Sequence, residues 1–291
     1  MQCISPIWLS KTRGFVACGK CNFCLQRRRQ DWSFRILEEL RTATYADFVT
    51  FTYDEENVRL SDQGKLTLVK RDVQLAFKRI RKFQAHLPKN GLIRGSRLND
   101  LGSGGIQVPP RLRYYTVGEY GTELGRPHYH SILFNLHPAT KSRINELWGH
   151  GHVDQGTVTG KSIGYVTGYV INRPGDYTGR EPPFAMISNR SGGLGKGYLE
   201  RNYNWHKVAK RNFVQNGSMP GALPRYYSER IFNSHDRAKF HQENLKRLDQ
   251  EYWSNVERVS AFHKNPELYL DEQIRYIHEN IKNKCNENHQ L

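Results

Sequence analysis

Two histidines, His128 and His130, stand one residue apart in the segment 126–135, which reads RPHYHSILFN. Side chains alternate between the faces of a strand, so both imidazoles point to one face of the strand expected here. A hairpin with the loop 121–126 places Glu119 opposite His128, with Cβ atoms about 4.5–5.5 Å apart. This triad could hold a divalent cation and leave positions open for water and a phosphate oxygen. The alternative is two histidines that make ordinary hydrogen bonds on a solvated sheet face.

Two tyrosines, Tyr165 and Tyr169, lie four residues apart in GYVTGYV. On a helix this spacing places both phenols on one face. A phenol has a pKa near 10 and attacks poorly unless it is assisted, and Lys161, one turn before Tyr165, could favour the phenolate. Two phenols near a metal triad suggest covalent phosphoryl transfer, in which the metal polarises the phosphodiester for in-line attack. The alternative is a pair of packing residues, because this spacing is common in helices.

No stretch approaches the roughly 18 apolar residues that a membrane-spanning helix needs. The N-terminal MQCISPIWLSKTRGF also lacks the apolar core of a signal peptide. We therefore expect a cytosolic protein without membrane contact. In that reducing environment, bunched cysteines indicate metal binding rather than disulfides.

Three cysteines, Cys18, Cys21 and Cys24, have C-x-x-C-x-x-C spacing, and Cys3 could add a fourth thiolate. Four sulfurs suit a closed structural Zn²⁺ site, which would hold the helix beginning at Leu25 against the predicted sheet. An iron–sulfur cluster could use the same spacing, and the absence of any metal is the third alternative.

The chain is strongly basic. Its 291 residues carry a formal net charge of +16, and 37% of them are hydrophobic, which is enough to build a core. Such an excess suggests a polyanionic partner, although a basic protein that is merely soluble is the alternative. The abundant aromatic side chains could stack on unpaired bases. No G-x-x-x-x-G-K-[ST] loop is present, so ATP-driven unwinding must come from another protein.

The elements that must position these residues alternate strands and helices. Strands are predicted at 46–53, 111–120, 127–135 and 151–158, helices at 25–41, 67–87, 140–148 and 161–172, and loops at 88–110 and 174–197. From Tyr227 onward the charged chain is predicted to be helical. We expect an α+β fold with a central antiparallel sheet of about five strands and helices on one face. The triad would lie on the other face beside the tyrosine helix. The predicted division is 1–45, 46–225 and a helical appendage at 226–291.

Three segments together resemble one family. FVTFTY (48–53), RPHYHSILF (126–134) and YVTGYVIN (165–172) follow the order of the three motifs of HUH endonucleases, named for two histidines that flank a bulky residue, here Tyr129. The segments CGKCNFCLQRRRQDW and REPPFAMISNRSGGLGKGY resemble the rolling-circle replication initiators of the Microviridae, of the gokushovirus type. The similarity covers most of residues 1–200.

The resemblance implies an HUH-like fold and a metal-dependent endonuclease and strand transferase that uses Mg²⁺ or Mn²⁺. His128 and His130 match the metal-binding pair, Glu119 matches the acidic third ligand, and Tyr165 and Tyr169 match the two nucleophiles. In that family one tyrosine nicks a circular phage origin and stays on the 5′ phosphate while the freed 3′ hydroxyl primes a host polymerase. The second tyrosine later cuts the regenerated origin, and the displaced strand is closed.

The resemblance also implies partners: single-stranded origin DNA, a host helicase and a host DNA polymerase, in the cytoplasm of the bacterial host. The assisting cation is Lys161 or Arg173. The predicted DNA-binding residues are the basic side chains of two helices and of the glycine-rich loop, namely Arg27, Arg28, Arg29, Lys78, Arg79, Arg81, Lys82, Arg173, Arg190 and Lys196. Two alternatives stay open: a non-catalytic zinc-containing nucleic-acid-binding protein, and another HUH enzyme such as a transposase or a relaxase.

Overall fold

The computed structural model describes residues 3–10, 14–87, 111–168, 176–216 and 219–287. Their elements, in chain order, are β1 (Ile7–Leu9), β2 (Gly14–Val16), α1 (Asn22–Leu40), β3 (Ala46–Thr52), α2 (Lys70–His86), β4 (Arg113–Tyr120), β5 (Pro127–Phe134), α3 (Pro138–Lys141), α4 (Ile144–Trp148), β6 (Val153–Thr157), α5 (Gly160–Gly168), β7 (Phe184–Ile187), a 3-10 helix (Arg190–Gly192), α6 (Lys196–Val208), β8 (Phe213–Asn216), β9 (Met219–Ala222), α7 (Arg225–Ile231), α8 (Ser234–Ser260) and α9 (Pro266–Glu287). No helix in these ranges combines the length and the apolar character that crossing a bilayer requires.

The chain divides into two compact units. One contains Trp32–Gly197, and the other contains Met1–Asp31 together with Tyr198–Leu291. The structure thus groups the N-terminal residues with the C-terminal elements. The division at 1–45, 46–225 and 226–291 stays a prediction.

The unit Trp32–Gly197 is built on a five-stranded antiparallel sheet in the order β6-β3-β5-β4-β7. The predicted α+β fold with a sheet of about five strands is therefore confirmed, and so are the helices after Tyr227. The fifth strand, β7, lies inside the segment 174–197 that was predicted to be a loop. Four residues between a proline pair and a glycine-rich stretch are too few to show the alternation that identifies a strand.

Two hydrophobic cores lie on the two faces of this sheet. One contains Phe51 and Leu133 of the sheet, packed with Phe77 of α2 and Trp148 of α4. The other contains apolar residues of β4 and β5, packed with α1 and α5 (Tyr115, Val117, Ile132 and Phe134 with Ile36, Ile163 and Val166). Helices were predicted on one face, with the tyrosine helix beside the triad on the other. The structure adds α1 to that second face, because its apolar side chains recur every four residues at Trp32, Ile36 and Leu40.

The hydroxyl of Tyr129, between the two histidines, lies in the first core. It is 2.9 Å from the Tyr53 hydroxyl and 2.8 Å from the backbone nitrogen of Val69, which precedes α2. The Tyr53 hydroxyl in turn donates to Asp72, whose carboxylate also accepts from Arg59. These polar groups are satisfied inside the core, so they fix the start of α2 against β5.

Gly151 provides a test of this packing, because its φ of +143° is one that L side chains rarely adopt. A Cβ there would lie 2.6 Å from the Thr52 carbonyl oxygen and would also meet the Asp54 nitrogen, both backbone atoms at the end of β3. We expect Gly151→Ala to lower the free energy of unfolding by about 2 kcal/mol or more. Urea denaturation measures this change.

The matched control is Gly156→Ala in β6, where the nearest atom to an added Cβ is the Phe48 carbonyl oxygen at 3.9 Å. We expect this variant to stay within about 1 kcal/mol of the parent protein. Equal stabilities of the two variants would contradict the close backbone approach at Gly151.

Candidate active site

Glu119, His128 and His130 come together on the face of the sheet that carries the second core. In the hairpin β4–β5, Glu119 pairs with His128, so the predicted register is confirmed. The Nε2 atoms of His128 and His130 lie 2.7 Å and 2.8 Å from Glu119 Oε1. The Glu119 side chain is only 4% exposed, so its charge is almost fully removed from water.

The electrostatics of Glu119 suit a cation. Burial alone raises the pKa of this carboxyl, but the hydrogen bonds and charges of His128 and His130 more than offset burial and lower the pKa to about 2. The second oxygen, Oε2, is buried and has no hydrogen-bond partner among the described residues. A buried acceptor without a donor is costly, and a metal ion would satisfy it.

One ligand atom from each of the three residues lies within 4.8 Å of the others, so this group could bind a metal ion. Two nitrogens and one carboxylate oxygen form an open set, since a divalent cation takes more ligands than these three. The residues present therefore fit the predicted catalytic metal. Their assignment as its ligands stays a prediction.

The outer ring nitrogens are also held. Nδ1 of His128 lies 3.0 Å from the Arg126 carbonyl oxygen, which can only accept, so this nitrogen carries the proton. Nδ1 of His130 lies 2.9 Å from Thr50 Oγ1. Metal-binding histidines are usually oriented by such outer partners, which leave Nε2 for the ion.

Sequence reasoning missed Thr50. The segment 46–53 was predicted to be a strand, but the pairing of Thr50 with His130 depends on the register between β3 and β5. These strands are far apart along the chain, and no tight turn fixes their register. The alternation that identifies the strand does not tell which of its residues meets the histidine.

Tyr165 reaches the triad from α5. Its hydroxyl donates to Glu119 Oε1 at 2.8 Å and lies 3.3 Å from His130 Nε2. Its ring stands perpendicular to the His130 ring at 4.9 Å, and Phe48 stacks on the other side of that imidazole. The predicted proximity of one tyrosine to the triad is thus observed.

The helix α5 is fixed at its start and on its buried side. Ser162 and Thr159 exchange hydrogen bonds around its first turn, the Ser162 nitrogen donating to Thr159 Oγ1 and the Thr159 nitrogen to Ser162 Oγ. Val166 is fully buried in the second core. Lys161 is exposed one turn before Tyr165, whereas Tyr169 and Arg173 lie outside the described residues.

The other predicted basic residues occupy different places. Arg27, Arg28 and Arg29 lie near the start of α1, Lys78, Arg79, Arg81 and Lys82 lie on α2, and Lys196 begins α6. Of these, Arg79 donates to the carbonyl oxygens of Leu147 and Trp148, so it fastens the end of α4 within the fold.

Arg81 and Arg190 line the same cavity of about 410 Å³. Arg111 and Arg113, which sequence reasoning did not select, line it as well. Arg113 is paired with buried Glu39 at 2.9 Å, and Glu39 also accepts from the Gly195 nitrogen. This network attaches the glycine-rich segment to the sheet. Four arginines around one cavity make it a suitable place for an anion.

Comparison with known proteins places the site in context. The family model of replication-associated protein ORF2 or gene 2 protein matches residues 46–173, which include Glu119, both histidines and both tyrosines. The chain is 28% identical over 239 residues to replication-associated protein VP4 of Bdellovibrio phage phiMH2K, covering 75% of this chain and 68% of that protein.

Two further relatives are more distant or longer. Replication-associated protein ORF4 of Chlamydia phage 1 is 28% identical, but the alignment spans 74% of this chain and only 53% of that protein. Replication-associated protein ORF2 of Spiroplasma virus 4 is 24% identical over 74% of this chain and 67% of that protein. No solved structure gives a significant match.

The role of Thr50 can be tested with a volume-conserving substitution. We expect Thr50→Val to weaken Mn²⁺ binding about 10- to 100-fold, because the Nδ1 atom of His130 loses its partner. Isothermal titration calorimetry measures the affinity. The control is Thr52→Val in the same strand, since Thr52 Oγ1 donates to the His152 carbonyl oxygen and not to a triad residue. Equal affinities of the two variants would contradict the proposed orientation of His130.

Proposed function

This chain is a relative of the phage replication-associated proteins, as its resemblance to the Microviridae initiators predicted, and on that premise we propose a metal-dependent, tyrosine-using origin endonuclease. The protein nicks single-stranded DNA at the origin of a circular phage genome and later rejoins the displaced strand. It would act in the cytoplasm of the bacterial host. Its metal would be Mg²⁺ or Mn²⁺, held by Glu119, His128 and His130.

The observation that carries this proposal is the position of the Tyr165 hydroxyl, 2.8 Å from Glu119 and 3.3 Å from His130. A nucleophile must lie beside the group that binds and polarises the phosphate it attacks. A tyrosine that served only for packing would bury its hydroxyl elsewhere or expose it to water. A non-catalytic DNA-binding protein would not need a phenol at this position.

The reaction exchanges one phosphodiester for another. The Tyr165 oxygen bonds to the phosphorus, the bond from phosphorus to the 3′ oxygen breaks, and that oxygen leaves as a hydroxyl after taking a proton. When bound, the metal polarises the phosphate and stabilises charge on its oxygens. The energy of the broken bond is kept in the phosphotyrosine ester, so rejoining needs no ATP.

Glu119 orients the phenol rather than removing its proton. A carboxylate with a pKa near 2 is too weak a base to take a proton from a tyrosine. The hydrogen bond from Tyr165 to Glu119 instead directs the oxygen toward the triad. The positive charge of Lys161, one turn earlier on α5, favours the phenolate, and Arg173 is the alternative cation.

We assign the second cut to Tyr169, one helical turn beyond Tyr165 by its spacing. With two nucleophiles, one can hold a strand while the other attacks. DNA would contact the cavity lined by Arg81 and Arg190 and the other predicted basic residues. A host helicase and a host DNA polymerase would supply the unwinding and the synthesis.

The covalent intermediate is the direct test. Incubation with a single-stranded origin oligonucleotide and Mn²⁺ should give an adduct that mass spectrometry maps to Tyr165 or Tyr169. The double variant Tyr165→Phe and Tyr169→Phe should give none, because it lacks both nucleophilic oxygens. The control is Tyr203→Phe, which changes an exposed tyrosine on α6. An adduct that persists in the double variant, or that maps to a residue other than these two, would refute the proposal.

The arginine cavity predicts a salt-dependent effect. We expect Arg190→Ala to weaken binding of single-stranded DNA and to reduce the slope of log affinity against log salt by about one. Fluorescence anisotropy at several salt concentrations measures that slope. Arg143→Ala is the matched control, because Arg143 is an exposed arginine that pairs with Glu146 on α4. A slope that changes equally in both variants would rule out a specific phosphate contact at Arg190.

A further inference from the structure

Four cysteine thiols converge in the unit that contains the N-terminal residues, and no step of the proposed phosphoryl transfer uses them. One sulfur from each of Cys3, Cys18, Cys21 and Cys24 lies within 4.8 Å of the others. We propose that these four thiolates bind a single Zn²⁺ in a closed site that organises this unit.

The distances match a tetrahedron of sulfurs around one ion. Zn–S bonds of about 2.3 Å place neighbouring sulfurs of a regular tetrahedron about 3.8 Å apart. The sulfurs of Cys18 and Cys24 are 3.9 Å apart, and so are those of Cys21 and Cys3. A disulfide would bring two sulfurs to about 2.05 Å, and the four cysteines are free. In a polynuclear iron–sulfur cluster each thiolate binds a different iron, which would hold the sulfurs further apart.

Backbone amides point at the sulfurs. The nitrogens of Lys20 and Cys21 donate to Cys18 Sγ at 3.4 Å and 3.2 Å, and the nitrogen of Cys18 donates to Cys3 Sγ at 3.3 Å. Gly19, between the first two ligands of the motif, has a φ of +72°, which turns the backbone so that these amides face inward. Donors that surround a sulfur stabilise its charged, metal-binding form.

The ligands come from both sides of a hairpin and from the helix that follows it. Cys3 precedes β1, Cys18 follows β2, and Cys21 and Cys24 stand at the start of α1. The hairpin has only three residues in each strand, and Ile7, Trp8 and Leu9 are all exposed, so it has little core of its own. A short segment of this kind needs a cross-link, and one ion bound by four thiolates provides it.

The same turn contacts the C-terminal helices of this unit. Asn22, between two of the ligands, donates through its backbone nitrogen to His278 Nε2 and through its side chain to the His278 carbonyl oxygen on α9. His241 of α8 lies 3.1 Å from the Phe15 carbonyl oxygen of β2. The ion would therefore connect the N-terminal hairpin with α8 and α9.

Metal analysis of the full-length protein tests the site. Protein purified without added metal should contain about one zinc per chain in a His128→Ala, His130→Ala background, which removes two donors of the other candidate site. Cys18→Ser and Cys24→Ser should each lower that content about tenfold or more. Cys285→Ser is the matched control, because it changes the fifth cysteine of the chain and should leave the zinc content unchanged.

A second measurement keeps the proposal testable if the cysteine variants do not fold. Titration of the reduced, metal-free parent protein with Co²⁺ should give the absorption bands of tetrahedral cobalt thiolate, and one equivalent of Zn²⁺ should abolish them. Protein that holds iron in place of zinc, or that gives no thiolate bands with Co²⁺, would overturn the proposal. Neither result bears on the Tyr165 adduct, so the two proposals can fail separately.

Discussion

The site depends on one buried carboxylate oxygen that two imidazole nitrogens approach to within 2.8 Å. A carboxylate that is only 4% exposed is stable only where opposite charge or hydrogen-bond donors replace its lost water. His128 and His130 supply those donors to Oε1, whereas Oε2 has none among the described residues. The site thus stabilises a negative charge and leaves one oxygen for a cation.

This arrangement requires the alternation of strand β5. His128 and His130 face one side of the sheet, and Tyr129 between them faces the other, where its hydroxyl contacts Tyr53 and the backbone of Val69. A shift of one residue would bury both imidazoles in the apolar core and move Tyr129 to the metal side. The polar network around Tyr129 therefore protects the register that the triad needs. The bulky residue between the histidines is a positioning element of the opposite core.

The sequence predicted the parts of the site that local geometry controls. Glu119 and His128 are joined by a short hairpin loop, so the loop length alone defines their pairing. The position of Thr50 depends on long-range pairing of β3 with β5, and the strand β7 has only four residues, so neither left a readable pattern. The cysteine cluster was visible because three of its four members lie within seven residues. The hairpin β1–β2, which brings Cys3 to them, was not predicted.

On the proposals made above, the chain separates two kinds of metal chemistry by ligand type. Four thiolates are soft ligands that fill the tetrahedron of Zn²⁺, so such a site has no position for substrate and can only be structural. Two imidazoles and one carboxylate leave positions open, and a phenol lies 2.8 Å from that carboxylate. Hard cations such as Mg²⁺ and Mn²⁺ bind oxygen donors and would complete their coordination with water and phosphate. The difference in donor atoms therefore gives each site its own metal and prevents the structural ion from taking part in DNA cleavage.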